Sequence, residues 1–208
     1  MEPTDGKRIP NSIHEAGPWR IREIAPDFTI EDVWALPAHG KAGDFKSVPK
    51  LLSASDPSKA DSGAARFLWQ LRDRLGKWFG IGRISKPAGE GGDQGLTIPG
   101  NHERSLRERL PEDLRDTASG VDFGSLPFTP LYLTDSEFAA EVSNQTVHGV
   151  MHLAWVDQGA GRYQGQMAVY VKPRGVLGKA YMALIKPFRY LVVYPALMRQ
   201  VERTWNGR

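Results

Sequence analysis

The sequence predicts an α+β domain whose C-terminal half is an antiparallel sheet closed by a basic, aromatic-rich helical segment. Four strand-like stretches follow one another at residues 128–133, 137–143, 146–155 and 162–171, separated by short turn signals. Connections this short force neighbouring strands to run antiparallel. Residues 175–205 then show helical periodicity interrupted by Pro187 and Pro195, which predicts two helical pieces or one kinked helix.

The N-terminal half has weaker patterns. We expect an irregular arm over residues 1–18 and one domain over residues 19–208, with a flexible Gly-rich loop near 82–101. Residues 19–36 resemble a strand interrupted at 25–27, residues 37–40 predict a turn, and residues 44–52 predict a short helix. The apolar spacing over residues 64–79 predicts the clearest helix of this half. The charged residues 103–116 fit either a short helix or a solvated lid.

Composition excludes several classes of chemistry. The chain of 208 residues contains no Cys, which excludes disulfides, Cys-ligated zinc and thiol catalysis. The charged N-terminus lacks the apolar core of a secretory signal. No run of about 18 apolar residues exists that could span a bilayer. We therefore expect a cytoplasmic protein without a transmembrane segment.

Positive charge is concentrated at the C-terminal end. Residues 172–208 hold eight basic residues and one acidic residue. The segment lacks a recognisable nucleic-acid-binding module, so nucleic acid is not an expected partner. Prolines interrupt it, and its apolar face is expected to be needed by the sheet, which argues against peripheral membrane contact. A homodimer is compatible with the sequence.

Strand register predicts which side chains share a face. A two-residue hairpin at Asn144-Gln145 places Glu141 opposite His148 and Glu137 opposite His152. Continued across the next hairpin, the same register brings His152 near Gln166 on this polar face. The other face is apolar and aromatic, and its predicted neighbours are Phe138 with Met151, Met151 with Met167, and Trp155 with Tyr163. We expect residues 175–205 to cover it with Leu177, Tyr181, Leu184, Ile185, Phe188, Leu191 and Val192.

Several motifs resemble a known bacterial family. They are DVWALP at 32–37, DF at 44–45, LWQLR at 68–72, EVSNQTVHGVMH at 141–152, LGKAYM at 177–182, IKPFR at 185–189 and YP at 194–195. Together they are similar to the family called domain of unknown function 2867. The resemblance implies a START-like (SRPBCC) helix-grip fold, in which a curved antiparallel sheet wraps around a C-terminal helical segment. The family also occurs joined to short-chain-dehydrogenase-like domains, which this chain lacks, and the resemblance transfers no catalytic residues.

Two histidines and a glutamate are the candidates for acid–base chemistry: His148, His152 and Glu141. Histidine titrates near neutral pH, so either imidazole could act as a base with a neighbouring carboxylate. Four residues of strand span about 13 Å, which is too far for both imidazoles to reach one zinc ion at about 2.1 Å. We therefore expect no metal site and no cofactor. The simpler interpretation is two cross-strand Glu–His pairs.

The leading functional hypothesis is binding of a small, largely apolar molecule in a cavity between the sheet and the C-terminal helix. The candidate ligand-binding residues are Trp34, Trp69, Met151, Trp155, Tyr163, Met167, Tyr181 and Arg189. Among them Arg189 could hold an acidic group of the ligand. One alternative is an enzyme of the cyclase, dehydratase or hydrolase type that uses the same cavity. Another is a protein-interaction module that uses the polar face, which we call the Glu–His–Gln face because it carries Glu137, Glu141, His148, His152 and Gln166.

Overall fold

A computed structural model of the chain describes residues 5–53, 105–123, 128–143 and 146–207, except for the side chains of residues 51–53. The helix predicted over residues 64–79, the candidate ligand residue Trp69 and the Gly-rich loop near 82–101 lie outside the described residues.

Six antiparallel strands form one curved sheet in the order β1-β2-β6-β5-β4-β3. The strands are β1 (Arg8–Ile9), β2 (Thr29–Gly40), β3 (Thr129–Leu133), β4 (Glu137–Ser143), β5 (Val147–Asp157) and β6 (Tyr163–Pro173). Every neighbouring pair is antiparallel. A C-terminal helix of 32 residues lies against one face, so the predicted α+β helix-grip architecture is confirmed.

The helical elements lie on both faces of the sheet. The α-helices are α1 (Asn11–Glu15), α2 (Ile21–Ile24), α3 (Ser47–Ser53), α4 (Gly175–Phe188) and α5 (Tyr194–Asn206). Within the described residues, 3-10 turns cover Ala42–Asp44, Leu106–Arg109 and Glu112–Leu114, and a π-helical turn, Arg189–Val193, joins α4 to α5. Pro187 lies within the end of α4. Pro195 lies at the start of α5, directly after the π-helical turn, where its missing N–H leaves a carbonyl of the preceding turn without a helical partner.

The N-terminal half differs from its prediction in three places. The expected irregular arm contains β1 and α1, and the first part of the expected strand forms the short helix α2. The turn predicted at residues 37–40 is wrong because these residues complete β2. A register shift between Ala35 and His39 takes Pro37 out of the ladder with β6, so its lack of an N–H costs no sheet hydrogen bond. The predicted helix over 44–52 is confirmed as α3.

The predicted strand alternation is confirmed, but the pairing is shifted by two residues. Ser143 lies opposite His148 rather than opposite Thr146 as predicted. The carbonyl of Thr146 accepts a hydrogen bond of 2.8 Å from Arg174 N just before α4. In the next hairpin Trp155 lies opposite Gly165. A shift by two keeps every side chain on its predicted face.

The apolar face is covered by a different set of helical side chains from the one expected. Tyr194, Met198 and Val201 of α5 are buried against it, together with side chains of α3 and residues 118–123. By contrast, Leu177, Leu184 and Leu191 are 61%, 66% and 77% exposed, so their predicted packing is wrong. Helix α4 instead turns Gly178 and Met182 inward. A Cβ at Gly178 would lie 2.3 Å from the Thr146 carbonyl oxygen, so this close approach requires glycine.

The polar face is also covered. Helix α2 buries Ile21 and Ile24 against it, and residues 105–114 bury Leu106, Leu110 and Leu114. The described part of the charged stretch 103–116 is therefore a pair of 3-10 turns anchored by leucines rather than a solvated lid. The sheet consequently forms the middle layer of the molecule, with one apolar and one mixed interface.

Candidate functional site

Several side chains on the apolar face near α4 are only half-buried. Met151 of β5 lies opposite Val169 of β6, and both are only half-buried although they belong to central strands. Two residues further along the same face, Leu153 and Met167 are almost completely buried. We call the half-covered region the sheet–α4 groove and define it by Val142, Met151, Val169, Tyr181, Ile185 and Tyr190, all of which are half-buried.

Two packed clusters meet at this groove. The large core cluster under α5 includes Met151, Val169 and Tyr190 at its margin. A smaller cluster of only three buried residues, Val147, Val171 and Met182, has Val169, Tyr181 and Ile185 at its margin. Val169 therefore touches both clusters.

A buried ion pair anchors the end of α4 beside the groove. The carboxylate of Asp32 is fully buried. It accepts hydrogen bonds from Trp34 Nε1 at 3.1 Å, from the Tyr194 hydroxyl at 2.9 Å and from Arg189 Nη2 at 2.9 Å. Burial opposes the charge of Arg189, yet Tyr194 and Asp32 together raise the pKa of its guanidinium. The arginine predicted to hold an acidic ligand group is thus paired within the chain.

Tyr190 supplies a polar atom with no assigned role. Its ring lies under the Arg8 guanidinium and the Lys186 ammonium, at 5.5 and 5.8 Å from the ring centre. Its hydroxyl is buried and has no hydrogen-bond partner within the described ranges. Burial raises the pKa of this phenol, so at neutral pH it is a hydrogen-bond donor. Buried polar atoms in native proteins usually have a hydrogen-bond partner.

The structure separates the predicted ligand-binding residues into two groups. Met151 and Tyr181 line the groove, whereas Trp34, Trp155 and Met167 are buried in the core. Trp155 Nε1 donates to the Lys41 carbonyl at 2.9 Å, and its ring stacks on that of Tyr163 at 6.3 Å. Their packing and hydrogen bonds explain these aromatic residues without a ligand.

The predicted Glu–His pairs are present on the opposite face of the sheet. His148 Nε2 lies 3.0 Å from Glu141 Oε2, and His152 Nε2 lies 2.9 Å from Glu137 Oε2. Because of the register shift these are diagonal partners rather than directly opposite ones. All four side chains are buried. Although burial acts to raise it, hydrogen bonds from His152, Arg20 N and Tyr132 hold the pKa of Glu137 below its usual value.

Each Glu–His pair also holds a segment of chain against the sheet. Glu137 accepts Arg20 N at 3.1 and 3.0 Å, and Glu141 accepts Leu106 N at 3.0 Å and the Ser105 hydroxyl. The sequence reasoning missed His14, which is fully buried and lies 3.1 Å from His152 and 3.2 Å from Gln166. A single histidine in a five-residue helix has no periodic signal that could have revealed this position.

Residues 5–53, 105–123, 128–143 and 146–207 contain no group of three or more His, Asp or Glu side chains arranged to hold a metal ion. Within the same ranges, every helix is too short or too polar to cross a bilayer.

Comparison with known proteins identifies the family. No curated protein and no solved structure matches the chain. A model of one protein family matches residues 24–196. This range includes β2 to β6, the Glu–His pairs, the groove and the start of α5. The chain therefore belongs to the family described as protein of unknown function DUF2867.

Proposed function

We propose that this protein binds a small, largely apolar molecule in the sheet–α4 groove. The observation that carries the proposal is the half-burial of Met151 and Val169, which face each other at the centre of the sheet. Side chains at such positions are ordinarily covered by the core. A ligand that removes about 200 Å² of apolar surface from water would gain roughly 5 kcal/mol before the entropic cost of binding.

The proposal also specifies one polar contact. Binding sites of this kind combine apolar walls with a few placed polar groups that orient the ligand. Tyr190 offers a buried hydroxyl without a partner in the described structure, whereas Arg189 is already paired with Asp32. The ligand is therefore expected to carry a hydrogen-bond acceptor that meets Tyr190, rather than an acidic group held by Arg189.

The two alternative functions have less support from the geometry. An acid–base enzyme in this groove could not use His148, His152 or Glu141, because all three lie on the other face of the sheet. An interaction module on the Glu–His–Gln face would require the segments that cover it to move away first, since these side chains are buried.

The first experiment asks whether the groove holds a ligand. Protein purified from its own host is analysed by native mass spectrometry, and the emptied protein is titrated with the apolar probe 1-anilinonaphthalene-8-sulfonate. Met151→Trp and Val169→Trp fill the groove from the sheet side. We expect a retained mass in the wild type, and at least a tenfold loss of probe affinity in both variants.

Leu184→Ser is the matched control because Leu184 is an exposed apolar residue on the outer side of α4. The control should bind the probe as the wild type does. If probe affinity falls in Leu184→Ser but not in the tryptophan variants, the probe binds on the exterior of α4. That result would overturn the proposal. Circular dichroism establishes that each variant is folded.

A further inference from the structure

A chain of hydrogen bonds runs through the interface between α1 and the polar face. It begins at Gln166 Oε1, 3.2 Å from His14 Nδ1, and continues from His14 Nε2 to His152 Nδ1 at 3.1 Å. It ends where His152 Nε2 meets Glu137 at 2.9 Å. Both histidines are completely buried. The sheet and the N-terminal segment therefore each contribute one imidazole to the same buried contact.

The protons of this chain can be counted. Glu137 accepts hydrogen bonds from Arg20 N and Tyr132, so as a carboxylate it accepts from His152 Nε2 as well. With Gln166 Oε1 towards His14 Nδ1, the two imidazoles together carry one proton more than their neutral forms. With the amide turned over, the Gln166 NH₂ donates to His14 and both histidines are neutral.

The neutral arrangement is favoured by the surroundings. Burial lowers the pKa of His14 to about 3, and the charges of His152 and Arg22 act in the same direction. Burial also lowers the pKa of His152 against the opposing effect of Glu137. The titratable and charged groups that face the pair come from α1, α2 and three strands. They are Glu15, Arg20, Arg22, Tyr132, Glu137 and Tyr170.

The interface between the N-terminal segment and the sheet contains buried polar atoms without hydrogen-bond partners among the described residues. Asn11 Oδ1 and the Tyr170 hydroxyl are buried without a hydrogen-bond partner in the described part of the chain. The other cover, residues 105–114, is held by Glu141 and by the leucines at 106, 110 and 114. It contributes no histidine to its interface. The N-terminal segment is therefore the cover that contributes its own histidine, His14, to the contact with the sheet.

We infer that His14 and His152 form an acid-sensitive latch, and that protonation of the pair releases residues 11–24 from the sheet and exposes Glu137, His152 and Gln166. In the released state the imidazoles are solvated and recover an ordinary affinity for protons. The equilibrium constant for release of the segment is therefore independent of pH above about pH 6.5, and it increases as the pH falls below that value. One titrating histidine makes opening about 30-fold more favourable at pH 5 than at pH 8.

Hydrogen exchange of the full chain tests the latch. We expect the protection factors of the Arg22, Glu23 and Ala25 amides, corrected for intrinsic exchange, to fall at least 30-fold between pH 8 and pH 5. These amides donate to carbonyls within the segment. The amides of Glu108, Leu110 and Leu114, which are bonded in the same way in residues 105–114, serve as the internal reference and should keep their protection.

His14→Gln removes the titrating group of the segment but retains hydrogen-bonding atoms. The slope of protection against pH should fall in this variant even if its protection is lower at every pH. His148→Gln, in the other Glu–His pair, is the matched control and should keep the wild-type slope. Equal loss of protection in both segments, protection that rises in acid, or an unchanged slope in His14→Gln would each overturn the latch.

Discussion

The two halves of the C-terminal helix cover the same face of the sheet in different ways. Helix α5 is amphipathic and buries Tyr194, Met198 and Val201 in the main core. Helix α4 is apolar around most of its circumference, yet only Gly178 and Met182 are buried. A helix with apolar residues on every side has no preferred face to bury. The orientation of α4 is therefore set at its ends, by Gly178 against Thr146 and by Arg189 with Asp32.

The largest effect is expected at the anchor between the two halves. Arg189→Ala leaves the fully buried Asp32 carboxylate without its cation, so we expect the free energy of unfolding to fall by about 3–5 kcal/mol. Urea denaturation at pH 7 measures the change. The double variant Asp32→Asn/Arg189→Met removes both charges and should recover much of the loss. If Arg189→Ala is as stable as the wild type, the ion pair is not what fixes the end of α4.

Truncations on the two helices give the next contrast. Met198→Ala should cost about 2–5 kcal/mol because it creates a cavity under α5. Leu184→Ala on α4 should cost no more than about 0.5 kcal/mol because Leu184 is exposed. The same denaturation assay compares them directly. Equal losses would mean that α4 is packed as closely as α5, and the groove would then have no structural basis.

The sequence was sufficient to predict the faces of the sheet. Alternation placed Met151 and Val142 on one face and both Glu–His pairs on the other, and these assignments survived the register error because the shift was by two residues. The predicted partner of Ser143, Thr146, instead accepts a hydrogen bond from Arg174 N through its carbonyl. That contact joins positions far apart in the chain, so the turn signal at Asn144-Gln145 could not reveal it.

The candidate site was less predictable than the fold. Apolar periodicity suggested that Leu177, Leu184 and Leu191 pack on the sheet, because heptad spacing cannot distinguish the two sides of a helix that is apolar all round. In the structure these three leucines are exposed. His14 contacts Gln166 and His152, which are more than 100 residues away in sequence, and only the assembled sheet brings them together.

The methionine methyl groups offer the most direct test of the groove. Met151 lies in the groove, Met182 is on α4, and Met167 and Met198 are in the packed core. In protein labelled with ¹³C at these methyl groups, titration with 1-anilinonaphthalene-8-sulfonate should shift the Met151 resonance most and leave that of Met198 almost unchanged. Shifts at Met198 with none at Met151, or no shift at any methionine while the probe binds, would contradict a ligand site between the sheet and α4.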